Sequence, residues 1–168
     1  MSMIIQTPRI IIREFLPEEQ EIYLTHFTDE RVALYLPRRS RDERIVIFNN
    51  ALNQYAITKT TGTWGMFNKI NGEFMGSCLL RPFNDEPGIV ELGYSLEQKY
   101  WGQGLATEMA AAMITHGLSD TSVTEIVAVT VFENSGSQRV LEKAGLKRTD
   151  NFIRNGEELA FFRQKTVI

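Results

Sequence analysis

The spacing of apolar positions changes repeatedly along this chain, and each change predicts an element. RIIIREF (Arg9 to Phe15) is short and β-branched, which reads as a strand. PEEQEIYLTHF opens with Pro17 and two acids, the chemistry of a helix first turn. Ile45, Phe48, Leu52 and Tyr55 recur at helical spacing and predict a second helix from about Asp42. TWGMFNKINGEFMGSCLLRPF then reads as two strands joined at Asn71-Gly72, residues that tolerate positive φ. NDEPG is a turn, and IVELGYSL (Ile89 to Leu96) is another strand.

Further along, Leu105, Met109 and Met113 form one stripe, with Ala106, Ala110 and Ile114 beside it. This is an amphipathic helix whose small residues suit close packing on a sheet. EIVAVTVF (Glu125 to Phe132) is a continuous apolar run, as in a buried central strand. Ser135 with Gln138 reads as a capping box, opening a helix that stops at Gly145. RTDNFI and ELAFFRQK close the chain as a hairpin turning at Asn155-Gly156. The order is strand, two helices, three strands, helix, strand, helix, two strands. That order predicts one mixed α/β domain over residues 1–168.

Composition narrows the function classes. A hydrophobic fraction of 43% with 23% charged residues is that of a globular domain with a full core. A net charge of −3 gives no nucleic-acid footprint. Arg38, Arg39 and Arg41 are interrupted by Ser40 and followed by Asp42 and Glu43, which reads as a solvated loop. An anionic ligand remains compatible with this balance, because backbone amides bind one without net positive charge. Cys78 is the single cysteine, so no intramolecular disulfide forms. MSMIIQTPR has neither a basic start nor a long apolar run, so no leader peptide or membrane span is expected, and the cytoplasm is the expected compartment. His26, His116 and Cys78 are too dispersed for a zinc site, and no metal is expected.

The stretch YWGQGLATEM (Tyr100 to Met109) changes the picture. Gly102 and Gly104 stand between a strand and a helix start. The first turn of a helix leaves amides without partners and carries partial positive charge. Glycines let a phosphate approach those amides with no Cβ in the way. By itself a G-x-G is as compatible with a tight turn. The Walker pattern is excluded because no Gly-Lys-Ser/Thr follows. The dinucleotide fingerprint fails at Thr107, where its third glycine belongs, and Glu133 comes about 30 residues on, where an acid is expected at about 20.

Two motifs together, IVELGYSLEQKYWGQGLATEM and VFENSGSQRVLEKAGLKR, resemble the GNAT N-acetyltransferase superfamily, in its RimJ/RimL-like branch. TPRIIIREFLPEE and ALYLP are similar to that branch as well, so the resemblance spans essentially the whole chain. It implies a central, mostly antiparallel twisted sheet of about seven strands with four helices. The fourth and fifth main strands, Ile89 to Leu96 and Glu125 to Phe132, would splay to admit the pantetheine arm of acetyl-CoA. The superfamily's CoA signature falls on Trp101 to Ala106, departing at its first position, Trp101. The implied contacts are Gln103, Gly104, Leu105, Ala106 and Thr107 for the pyrophosphate, with Leu92, Tyr94, Asn134 and Ser137 along the pantetheine arm.

Acetyl transfer to an amine requires a neutral nitrogen, a donor for the developing oxyanion and a proton for the leaving thiolate. The residues alone leave Glu91, set between Val90 and Leu92, equally readable as a solvent-facing edge charge or a catalytic carboxylate. The resemblance implies Glu91 as general base, with a pKa expected to be raised by partial burial. It also implies that Ser137 offers its hydroxyl to sulfur. Helix capping explains Asn134 and Ser137 equally well from the residues. Tyr94 reads first as core, Glu108 as a residue favoured by the helix dipole, and Cys78 as a small buried hydrophobe. Trp64, Tyr35, Arg81 and Phe83 are candidates to line an acceptor pocket.

The expected function is therefore transfer of acetyl from acetyl-CoA to a primary amine, most simply a protein or peptide N-terminal α-amine. The alternatives are a small amine, antibiotic or polyamine acceptor, or a CoA-binding sensor without turnover. The expected assembly is a monomer or homodimer.

Overall fold

A computed structural model describes residues 2–166. Eight strands form one sheet in the order β1-β2-β3-β4-β5-β6-β8-β7. They are β1 Met3–Gln6, β2 Ile10–Arg13, β3 Gly62–Asn68, β4 Phe74–Pro82, β5 Ile89–Leu96, β6 Glu125–Thr130, β7 Lys147–Arg154 and β8 Glu157–Lys165. The helices are α1 Gln20–His26, α2 Glu30–Ala33, α3 Arg41–Gln54, α4 Leu105–Leu118 and α5 Ser135–Lys143. All strand pairings are antiparallel except β5 with β6, which run parallel.

This is the mixed α/β architecture that the sequence predicts, with one more strand and one more helix. The extra strand, β1, is a four-residue edge strand that pairs only with β2. The extra helix, α2, is a single turn capped by Asp29, too short for its apolar spacing to register. The strand expected over Arg9 to Phe15 is trimmed to Ile10–Arg13, and that expected to Phe132 ends at Thr130. Asn155 and Gly156 both take positive φ and make the tight turn their sequence requires. Asn71-Gly72 belongs to a wider loop instead, because Asn68 closes it by donating its N–H to the Glu73 carbonyl.

Strand alternation divides the core between two faces. On one face, Leu105, Met109, Ala110 and Met113 of α4 bury against Trp64, Met66, Cys78, Leu80, Val90, Leu92, Ile126 and Ala128. On the other, α1 and α3 bring Tyr23, Leu24 and Phe48 onto Phe15, Phe67 and Phe74. A third cluster, Phe83, Val127 and Phe161, forms where β5, β6 and β8 meet. Val127 alternates with Ile126 and Ala128, so this cluster lies on the face opposite α4. Trp64, a candidate pocket residue, is instead core, 1% exposed with its ring edge-on to His116.

Candidate active site

The parallel pairing of β5 with β6 runs through Ile89↔Glu125, Val90↔Ile126 and Glu91↔Val127, and stops there. Beyond it, Leu92 to Leu96 and Ala128 to Thr130 have no cross-strand partners in each other, so the sheet parts as expected. A cleft of about 1490 Å³ occupies the gap and extends to both faces. Leu92, Gly93, Tyr94, Gly104 to Thr107, Val129, Asn134 and Ser137 all line it.

The glycine loop enters this cleft as the N-terminus of α4. Gly104 is its N-cap, at φ +78, a left-handed conformation in which only glycine is unstrained. A Cβ there would meet only Arg9 Nη2, at an ordinary contact distance of 3.5 Å, so it is the backbone conformation, not a lack of space, that requires the glycine. Among the described residues the amides of Gln103 to Thr107 have no protein acceptor. Gln103 turns its side chain back to the Lys99 carbonyl, at 2.9 Å, which leaves its backbone N–H as its contribution to the loop. These open amides on the α4 dipole fit a pyrophosphate.

Sequence reasoning missed what supports the loop. Arg9 donates to the Gln103 carbonyl at 2.9 Å and to Glu108 at 2.8 Å, while Thr7 donates to Glu108 at 2.6 Å. Glu108 thus ties the β1–β2 turn to the loop, consistent with a structural reading of that carboxylate. No local pattern signals a contact across about a hundred residues.

At the far wall, the N-terminus of α5 is organised by Asn134 rather than by the expected Ser135. Asn134 is the N-cap and its Oδ1 accepts the Ser137 N–H at 3.1 Å. Ser135 is already the first helical residue, and Gln138 donates to the Phe132 carbonyl instead of closing a box. The cap therefore begins one residue earlier, and Asn is as good a cap as Ser. Tyr94 reaches across from β5 and donates to Ser137 Oγ at 3.3 Å. Burial raises the Tyr94 pKa, with Ser137 opposing it, so the phenol stays protonated and serves as a donor.

Glu91 is buried, 5% exposed, and is not a water-facing edge charge. Its expected raised pKa is not what this site produces. Burial pushes it up, but Arg154 at 2.9 and 3.1 Å and Arg81 at 3.3 Å outweigh that and hold it below the ordinary carboxylate value. Arg81 was a candidate pocket residue. Arg154 comes from β7 and was not anticipated, because the last hairpin's approach to β5 is a tertiary fact. Phe83, another candidate, is buried and stacks on Phe161, whereas Tyr35 does line the cleft. Cys78 lies against Met113 in the core, where burial pushes its thiol far up.

The profile of the Acetyltransferase (GNAT) domain matches residues 9–147. The chain belongs to the GNAT acetyltransferases. A relative, the uncharacterized N-acetyltransferase YoaA of Bacillus subtilis, is 23% identical over 150 residues, covering 88% of this chain and 85% of its own. The fold matches that of RimL, a ribosomal L7/L12 α-N-protein acetyltransferase solved with coenzyme A, at a TM-score of 0.80. That comparison carries 15% identity and covers 98% of both chains. A ribosomal-protein-S5-alanine acetyltransferase from Vibrio fischeri matches at 0.79, with 16% identity over 96% of this chain and 95% of that one. This GNAT protein is thus an acetyl-CoA-dependent N-acetyltransferase. Among its described residues no helix is long and apolar enough to cross a membrane.

Proposed function

We propose that this enzyme acetylates the N-terminal α-amine of a protein or peptide by direct attack on acetyl-CoA. The observation that carries the choice of amine is the pairing of Glu91 with Arg154 and Arg81, which holds its carboxyl below the ordinary value. A carboxylate paired with two arginines is a weak base and does not strip a strongly basic ammonium. An α-amine, with a pKa of roughly 8, is about a tenth neutral at pH 7, whereas a lysine amine near 10.4 is almost wholly charged. The cleft therefore suits a nucleophile that arrives neutral.

Acetyl-CoA supplies the activated acetyl group, and the chain's residues do the rest. The amides of Gln103 to Thr107 bind its pyrophosphate, while Leu92, Tyr94 and Asn134 line the path of the pantetheine arm. As the new C–N bond forms the nitrogen becomes strongly acidic, so the ionised Glu91 suffices as general base, directly or through one water. Ser137 accepts its hydrogen bond from Tyr94, which leaves its own O–H available to the departing sulfur.

The reading is tested by offering acetyl-CoA with peptides carrying a free or blocked N-terminus, peptides with one lysine, and a polyamine. Mass analysis should show the acetyl group chiefly on α-nitrogen. Acetylation confined to lysine side chains or the polyamine would overturn the α-amine assignment.

A further inference from the structure

We infer that the acceptor carries a carboxylate close to its amine, received in the cleft by Arg44. This deepens the acceptor reading above and rests on it. Arg44 ends the first turn of α3 and is 8% exposed, the one arginine among the buried residues. It lines the cleft together with Tyr23, Phe27, Tyr35 and Ile47. Its guanidinium lies over the Phe27 ring, 3.8 Å from the centroid, and beside the Tyr23 phenol.

The other well-covered arginines have carboxylate partners: Arg13 with Glu19, Arg154 with Glu91, Arg163 with Glu125. Among the described residues Arg44 has no carboxylate within 4.0 Å, and its polar neighbour is the uncharged Tyr23 phenol. Its neighbour Glu43 is committed to the backbone N–H of Ser40 at 2.8 Å. Arg31 and Arg39 line the same cleft and add positive charge. Glu91, a carboxylate lining the same cleft, is already matched by two arginines.

Burying a guanidinium without a counter-ion is expensive, and an apolar residue would pack at this helix position without that penalty. A ligand carboxylate removes the penalty, because the planar fork of donors matches it. The phosphates of CoA are not that ligand. The open amides belong to α4, whereas α3 covers the opposite face of the sheet. The anion must arrive with the acceptor, as an acidic residue beside the N-terminal one or as the carboxylate of a free amino acid.

The experiment compares kcat/KM for peptides beginning Ser-Asp or Ser-Glu with those beginning Ser-Asn or Ser-Gln, and for β-alanine with β-alaninamide. Each is run with wild type, Arg44→Met, which keeps the stem over Phe27, and Arg44→Lys. Retained stabilisation by acetyl-CoA checks folding. We expect wild type to favour the acidic peptides by about tenfold or more, the value of a charge-assisted hydrogen bond. Arg44→Met should bring the acid-to-amide ratio near one, and Arg44→Lys should restore part of it. Preference within the peptides places the carboxylate on a side chain; preference for β-alanine over its amide, with the peptides poor substrates in both forms, places it on a free amino acid, keeping this inference while overturning the peptide reading. Peptides acetylated equally well as acid and amide overturn the inference and leave the α-amine reading standing. Calorimetric binding of the Nα-acetylated Ser-Asp and Ser-Asn peptides reads the same difference without turnover, and where the peptides are substrates equal affinities would also overturn the inference.

Discussion

Arg154 grips Glu91 through both terminal nitrogens, at 2.9 and 3.1 Å, linking the last hairpin to the last paired position before the sheet parts. The arrangement anchors a carboxylate at the point where the strands begin to part and keeps it ionised throughout the neutral range. Its chemistry is therefore that of a fixed, weak proton acceptor.

Glu91→Gln should lower kcat by ~10²-fold, within the usual range for a lost proton-transfer partner, with acetyl-CoA affinity nearly intact. With its pKa held below the ordinary carboxylate value, Glu91 does not titrate between pH 6 and 9. The rising limb of the pH–rate profile should then follow the acceptor amine, near pH 8 for an α-amine, in wild type and variant alike. A wild-type limb at pH 6–7 that vanishes in Glu91→Gln would show that Glu91 titrates there, and that the arginines do not control it.

Gly104→Ala should fold, since the added Cβ meets only the end of the Arg9 side chain, but the left-handed backbone costs about 1–2 kcal/mol. Relaxing that strain reorients the amides of Gln103 to Thr107. Thermal melts should show a modest loss in Tm without ligand and loss of most of the stabilisation by acetyl-CoA. Wild-type stabilisation in a folded variant would mean that the phosphate lies elsewhere.

The glycine loop and the two strands that flank the cleft were legible because they rest on local pattern, residues that tolerate positive φ and apolar runs. The parting of those strands and the interest of Ser137 came from the family resemblance. The α3 start is equally local, with Ser40 and Glu43 closing a capping box one residue before the expected boundary. What escaped is non-local. Arg154 reaches Glu91 over 63 positions and Arg9 reaches Glu108 over 99, so the burial of Glu91 was misread as a raised pKa. Burial and partners act in opposite directions on a carboxylate, and sequence shows only the apolar neighbours.

Ser137→Ala should reduce kcat by more than it weakens acetyl-CoA binding, because the hydroxyl is needed as charge develops on sulfur. The Asn134 cap uses the Ser137 backbone N–H, so alanine leaves it in place. Tyr94→Phe removes the donor that orients the hydroxyl and should show a smaller effect of the same kind. Steady-state kinetics with separately measured CoA affinity checks both. Loss confined to affinity, with kcat unchanged, would assign Ser137 to packing.

The last prediction concerns pH and stability. His26, at the end of α1, is buried, with Nε2 at 2.8 Å from Ser95 Oγ on β5. Its Nδ1 comes within 3.2 Å of the Glu97 carboxylate but lacks the geometry of a hydrogen bond. Burial lowers its pKa below the ordinary 6.5, and the attraction of Glu97 only partly offsets this. A histidine with a depressed folded-state pKa favours the folded state above its unfolded pKa. As pH falls below about 6.5 the unfolded chain takes up a proton that the folded chain refuses, so stability declines until the folded pKa is passed. Denaturant midpoints for wild type should therefore fall between pH 7 and pH 5. His26→Gln keeps a polar group opposite Ser95 without titrating; it should be less stable at pH 7 but show a flatter profile over the same interval. Parallel slopes for the two proteins would mean that His26 takes up its proton as readily folded as unfolded. The link between α1 and the cleft strand would then not be a neutral one.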